Sequence, residues 1–329
     1  MVVKTLTFNK TGYDPFIDFL KAYSIICVVI AHILPQQFYK YILFHVWGEM
    51  QVPLFVLIQV FHAYKKEQKP KLNWGNLLKR FFLPFVAVQG VIFGFKALIG
   101  ESVLLTKFII RGGTGPGAYY IWIYFQIAIL LVVIWPWLKK LSLKQVTIAF
   151  LIVSVGFEVL FSVISFPDGL YRLLCVRYLF LIPLGMIWIE KGVEINWKTI
   201  TLSVLSIIAV LFFVFTQYNL EPFFYKTAWK FHRWICYFYL PFLLTYGLYL
   251  LWNKIKRTTW IVKAMKWTAT RSYEIFLAQM AVLVCFSETV LSFESNSLIC
   301  FVIWAIVAFM CSLLFGGMIF WLRKNVLKC

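Results

Sequence analysis

Charge is scarce in this chain, and acid is scarcer still. Only 14% of its 329 residues are charged, and 13 Asp and Glu face 32 Lys and Arg. Soluble domains carry about 25% charged and about 45–50% apolar residues; a chain that is 62% hydrophobic is not one of them. The net charge of +19 invites a nucleic-acid reading. The basic residues, however, cluster in alternate loops between apolar runs, which is a membrane-topology pattern and argues against nucleic acid as a partner. Metal and disulfide signals are missing as well. The seven cysteines (Cys27, Cys175, Cys236, Cys285, Cys300, Cys311 and Cys329) are scattered, with no CxxC or Cys/His ligand spacing. No metal is expected. There is no GxxxxGK[ST] loop for nucleotide-driven transport, no internal repeat and no low-complexity tract. The polar opening MVVKTLTFNKTGYDPF does not read as a cleavable signal peptide, and no appended soluble domain is expected.

What is present is a series of apolar runs of about 20 residues, the length of a membrane-crossing helix. Ten are predicted, near 15–34, 45–64, 79–99, 118–138, 145–166, 172–190, 199–216, 232–252, 272–290 and 298–322. The expected fold is an all-α polytopic membrane protein, with residues 1–329 forming one transmembrane domain. With the N-terminus inside, 22 of the 32 basic residues fall in inner segments, seven in outer segments and three within spans. That imbalance predicts that both termini are cytoplasmic. The loops KKEQKPKLNWGNLLKR and NKIKRTTWIVKAMKWTATR mix basic and aromatic residues and are expected to lie along lipid headgroups. GGTGPGAYY reads as a flexible, turn-rich connection.

Ionisable groups inside such runs are costly and mark sites. Lys21 and His32 stand eleven residues apart in the first run. Eleven helical residues make about three turns, so both side chains share one face, about 16 Å apart along the axis. Asp18, on the same stripe, is placed to pair with Lys21. Topology then gathers two clusters. The inner one is cationic: Lys21, Lys79, Arg80 and Arg271, suited to a phosphorylated cytoplasmic ligand. The outer one is mixed: His32, Glu49, Glu158, Arg177 and Glu288. There an imidazole near carboxylates suits a general base. Asp18 lies about 21 Å from His32 and cannot orient it; Glu158 or Glu49, from other helices, is the expected partner. Pro84 is expected to kink the third span. His45, His62 and His232 sit at span ends and carry no assignment. Each of these residues also has a structural reading: a hydrogen-bonded interfacial histidine, a Lys21–Asp18 ion pair, an Arg177–Glu158 bridge, topology anchors at Lys79 and Arg80, and packing at Trp122.

Lys21-x10-His32 after Asp18 resembles the Arg/Lys-x10-His signature of the acyltransferase 3 family of integral-membrane O-acyltransferases. VPLFVLIQVFHAYKK, LLKRFFLPF, YYIWIYFQIAIL, RYLFLIPLGMIW and TRSYEIFLAQM resemble later segments of that family, in order. The resemblance implies ten spans in the plasma (inner) membrane. It also implies transfer of an acyl group, usually acetyl, from cytoplasmic acetyl-CoA or another acyl-CoA to a hydroxyl of a cell-envelope glycan or lipid-linked sugar. By the same resemblance His32 is the catalytic residue, Lys21 its paired cation, and Lys79 and Arg80 lie near the donor; Arg271 joins them from the inner cluster. Glu49, Trp122 and Arg177 are the candidate acceptor contacts. Partners would be membrane lipids and other glycan-synthesis proteins. The chain departs from the family pattern at Gln59-Val60 (Ser-Gly in the family), at Leu77-x-x-Arg80 (Arg-x-x-Arg) and at Gln279 (His). A second class, an exporter of polysaccharide or lipid-linked sugar, shares this outline; a third is a structural partner in a synthase complex.

Overall fold

The computed structural model describes residues 4–9, 12–65, 70–102, 105–164, 166–216, 234–290 and 298–326. Helix dominates the described chain. The side chain of Glu288, together with His232 and Cys329, lies outside the described residues.

The first helix, α1 (Pro15–Ile33), starts where the sequence supplies both start signals. Asp14 is the N-cap, its Oδ1 accepting from the Phe16 amide at 3.0 Å. Pro15 occupies the first turn, where its missing N–H costs nothing. The helix stops at Leu34, which is extended as the residue before Pro35 must be. The later helices are α2 (Gln51–Tyr64), α3 (Leu83–Leu98), α4 (Tyr120–Lys140), α5 (Leu143–Val163), α6 (Leu181–Glu190), α7 (Trp197–Thr216), α8 (Thr245–Ile255), α9 (Thr259–Thr270), α10 (Ser272–Val290) and α11 (Leu298–Val326). A Ser142–Gln145 capping box opens α5.

Among the described residues, seven helical segments are long and apolar enough to cross a membrane: Pro15–Ile33, Phe44–Tyr64, Trp74–Leu98, Tyr120–Lys140, Leu143–Phe161, Trp197–Thr216 and Phe301–Val326. Seven spans are therefore found among the described residues where the sequence predicts ten; the described parts of the other three predicted runs fold as follows. Residues 168–190 form a helix (Asp168–Leu173), an extended Leu174, a 3-10 turn (Cys175–Tyr178) and α6. Residues 236–255 form a 3-10 turn, a π turn around Pro241 and α8. α10 is a 19-residue helix, Ser272–Val290. Pro84 also produces a π turn, at Leu78–Phe82 immediately before α3. A proline donates no N–H to the carbonyl four residues back, and one wider turn absorbs the mismatch.

α1 is the central element. Of its apolar window 61% is buried, against 17% for Leu143–Phe161 and for Phe301–Val326. It packs on α2, α9, α10 and α11. The outer helices expose Val133, Ile152 and Leu314; apolar surface this extensive belongs against lipid. Two strands close one end of the bundle. β1 (Lys4–Leu6) pairs antiparallel with β2 (Val193–Ile195), with Thr5 opposite Glu194. Phe8, just after β1, packs its ring within 5.2 Å of Trp188 and 5.3 Å of Phe61, centroid to centroid. A buried Arg323–Glu274 ion pair at 2.7 Å ties α11 to α10.

Candidate active site

Because α1 is continuous from Lys21 to His32, the two side chains lie on one face as their spacing requires. Each lines its own cavity. His32 faces a cavity of about 300 Å³ together with Tyr39, Glu49, Gly117, Tyr119 and Arg177. Although α1 is the core helix, the His32 imidazole presents accessible surface, and this cavity is what it faces. Among the described residues, none hydrogen-bonds the ring. Lys21 faces a larger cavity of about 850 Å³, also lined by Asp18, His62, Lys71, Arg80 and Glu274.

In the Lys21 cavity the charges are partly matched. Asp18 Oδ1 lies 3.7 Å from Lys21 Nζ, and Asp18 Oδ2 accepts from the Tyr13 hydroxyl at 2.6 Å. Burial first, then this hydrogen bond and the Asp18 charge, push the Tyr13 phenol up to about 12. Glu274 is held by Arg323. Arg80, presented by the π turn, reaches the cavity over the Phe81 ring, 5.9 Å from its centroid. Four cationic or titratable nitrogen groups among its lining residues (Lys21, Lys71, Arg80, His62) suit a ligand with several phosphate charges.

The two cavities adjoin, sharing Phe55, Phe81, Tyr124, Ser272 and Tyr273 as wall residues. Around the His32 cavity, Glu49 Oε2 contacts His45 Nδ1 at 2.8 Å. Arg177 is buried in the 3-10 turn that interrupts residues 168–190, and its guanidinium lies 4.9 Å from the rings of both Tyr119 and Tyr178. Stacking on aromatic faces offsets part of the cost of a buried cation.

His32, Glu49 and Arg177 therefore meet at one cavity, and Lys21, Asp18 and Arg80 at the next. The remaining candidates lie elsewhere. Glu158 is buried and accepts from the Tyr171 hydroxyl; it does not line the His32 cavity. Lys79 is exposed on the turn beside Arg80 and lines neither cavity. Arg271 is clamped between the Trp267 and Phe320 rings, 4.6 and 4.4 Å from their centroids, facing a separate groove with Lys324. Trp122 Nε1 donates to the Gly112 carbonyl at 2.7 Å, a scaffolding contact.

Several residues at the site carry no signal that spacing alone reveals. The glycine-rich stretch 112–117 reads as flexible, yet it is tied down at three further points besides Trp122. Gln89 Oε1 accepts from the Thr114 amide at 2.7 Å, and its Nε2 donates to the Thr114 carbonyl at 3.0 Å. Gln279 Nε2 donates to the Pro116 carbonyl at 3.1 Å. Main-chain amides reach the Gly115 and Gly117 carbonyls, and buried amide side chains supply the donors for those of Thr114 and Pro116. The loop delivers Gly117, at φ +80°, to the imidazole: a β-carbon there would stand 3.6 Å from His32 Nε2. Two of the departures from the family pattern acquire a role here. Gln279 holds this loop, and Gln59 Nε2 donates to the Tyr124 carbonyl at 3.0 Å in the wall between the cavities. Among the described residues no group of three or more His, Cys, Asp or Glu side chains assembles to hold a metal.

A family model described as an acyltransferase domain matches residues 14–322. No curated protein and no solved structure matches the chain.

Proposed function

The chain belongs to the acyltransferase 3 family, and from that premise we propose that this membrane acyltransferase moves an acyl group, acetyl in the first instance, from acyl-CoA to a hydroxyl of an envelope glycan or lipid-linked sugar. The observation that carries the reading is the pair of adjoining cavities on one helix face, cationic around Lys21 and open around His32. Lys21 and Arg80, with Lys71 beside them, bind the phosphates of the donor. The thioester arm extends along α1 toward His32, over the roughly 16 Å that eleven helical residues span. The His32 imidazole removes the proton of the acceptor hydroxyl. The alkoxide oxygen then bonds to the thioester carbonyl carbon, the C–S bond breaks, and the CoA sulfur leaves as a thiol with the proton carried by His32. A relay in which His32 itself takes the acyl group before the acceptor arrives uses the same contacts. Glu49 and Arg177 orient the sugar from the far walls.

The same reading takes residues 1–329 as one domain crossing the plasma membrane ten times, with both termini cytoplasmic. The strand pairing supports the count. Five of the seven long apolar helices lie between β1 and β2, and an odd number of crossings would leave the two strands on opposite sides. Taking the interrupted segment 168–190 as a sixth crossing leaves both strands on one side.

Labelled acetyl-CoA binding to the detergent-purified chain tests the donor site. Binding is expected, with marked weakening in Lys21→Met and Arg80→Ala; no binding to the unaltered chain returns it to the export reading. In cells, His32→Ala should lower glycan acylation by about 10²–10⁴-fold, the contribution of a positioned acid–base. Full acylation by a folded His32→Ala protein rejects the role given to the imidazole.

A further inference from the structure

Four of the five residues shared by the two cavities are aromatic: Phe55 from α2, Phe81 from the π turn, Tyr124 from α4 and Tyr273 from α10. Phe81, Tyr124 and Tyr273 brace one another, while Phe55 meets the Tyr120 ring at 6.0 Å. The Phe81 ring stacks on Tyr124 at 4.6 Å and meets Tyr273 at 4.8 Å, centroid to centroid. The Tyr273 hydroxyl donates to the Phe81 carbonyl at 2.5 Å, and Gln59 anchors the Tyr124 backbone. The four rings, from four elements, line both cavities where they adjoin and make up an aromatic collar, three of them fixed by mutual packing and main-chain hydrogen bonds. On the Lys21 side there is about 850 Å³ of space; on the His32 side there is about 300 Å³. The smaller volume sits at the lower limit of small-molecule sites, about 300–1,000 Å³, and must hold both the acyl carbon and the attacking hydroxyl.

We propose that this aromatic collar is the acyl-length selector of the enzyme, with Phe81 as its central specificity-determining residue. Rigid rings at the boundary admit a short acyl group to His32 and stop the methylenes of a longer one. The inference rests on the acyl-CoA reading above and deepens it: the donor is a short-chain acyl thioester because the collar, and not the cationic cavity, reads the acyl end. Arg80, whose guanidinium lies over the Phe81 ring, couples the phosphate-binding wall to the collar.

Competition of free CoA and of acetyl-, butyryl-, hexanoyl- and octanoyl-CoA against labelled acetyl-CoA, on the detergent-purified full chain, tests it. One misfit methylene in an apolar pocket discriminates by about 10–200-fold, so hexanoyl-CoA should bind the unaltered chain at least about tenfold more weakly than acetyl-CoA. Phe81→Ala should recover at least about tenfold for hexanoyl-CoA relative to acetyl-CoA, each referred to free CoA in the same variant. Phe55→Ala, which removes a ring that does not brace Tyr124 or Tyr273, provides the same readout if Phe81→Ala fails to fold. Equal affinity of the unaltered chain for acetyl- and hexanoyl-CoA overturns the collar. So does a length profile unchanged in both variants. Failure of every ligand, free CoA included, overturns the donor reading and the collar with it.

Discussion

At the scale of single residues, the site is built from groups that a membrane interior penalises unless they are matched or face a cavity. Lys21 is matched by Asp18 and Arg177 is stacked on tyrosines, while the His32 imidazole faces open space. Gly117 keeps that space open. Its backbone, at φ +80°, costs any side chain about 1 kcal/mol or more. A β-carbon there would also press to 2.9 Å from Phe276 and stand 3.6 Å from His32 Nε2. Gly117→Ala should therefore lower transfer by about 100-fold, the scale on which ångström-level misplacement acts, while leaving labelled acetyl-CoA binding in the Lys21 cavity intact. Undiminished transfer in this variant would remove Gly117 from the reaction centre. The residues legible in the sequence were those whose charge is anomalous in an apolar run: Lys21, His32, Arg177 and Glu49. Gly117 and the collar rings look ordinary in a chain with 34 Phe, 17 Tyr and 17 Gly, and Gln59 and Gln279 stand out in the sequence only as departures from the family pattern, with no contact implied. Only their neighbours distinguish them.

At the scale of elements, regular helices followed from composition, and irregular ones followed from prolines in context. Pro84 promised a kink; the fold turns it into a π turn that presents Arg80 to the Lys21 cavity and Phe81 to the collar. The break at Leu174 places Arg177 in a 3-10 turn beside the His32 cavity, where an unbroken helix would have carried it along a straight span. The expected partnership of His32 with Glu158 or Glu49 depended on how distant helices rotate about their axes, which periodicity does not encode; Glu158 engages Tyr171, and Glu49, although it lines the His32 cavity, contacts His45. The α10–α11 pairing depends on a buried ion pair whose two side chains are only 3% and 5% exposed. Removing one member of such a pair costs about 3–5 kcal/mol. Glu274→Gln should accordingly show a lowered melting temperature in detergent, and the double replacement Glu274→Leu with Arg323→Met should recover most of it. A melting temperature unaffected by Glu274→Gln would mean the pair contributes nothing to holding the two helices together.

At the scale of the whole molecule, the small β1–β2 sheet binds the start of the described chain to the segment after α6, so its sidedness governs the path of everything between. Thr5 and Glu194 face each other across the ladder, and directly opposed antiparallel residues stand about 4.5–5.5 Å apart at Cα, within disulfide range. With the native cysteines replaced, Thr5→Cys with Glu194→Cys should cross-link on mild oxidation, and a membrane-impermeant thiol reagent should reach both positions from the same side. Labelling from opposite sides would remove the sixth crossing and with it the ten-span path.

Composition and the spacing of charges determined by themselves that this chain lives in a membrane as a helical bundle, and that one stripe of its first helix carries a cation and an imidazole three turns apart. Those properties are local: hydropathy is a sum over about 20 residues, and helical phase is arithmetic on sequence separation. The tertiary structure alone decided that the stripe opens onto two cavities with four rings between them, and that Glu49 and Arg177 face the imidazole's cavity while Glu158, Lys79 and Arg271 lie apart. Those properties depend on how helices far apart in sequence turn toward one another. That rotation is set by packing among many similar apolar side chains, and no single residue announces it.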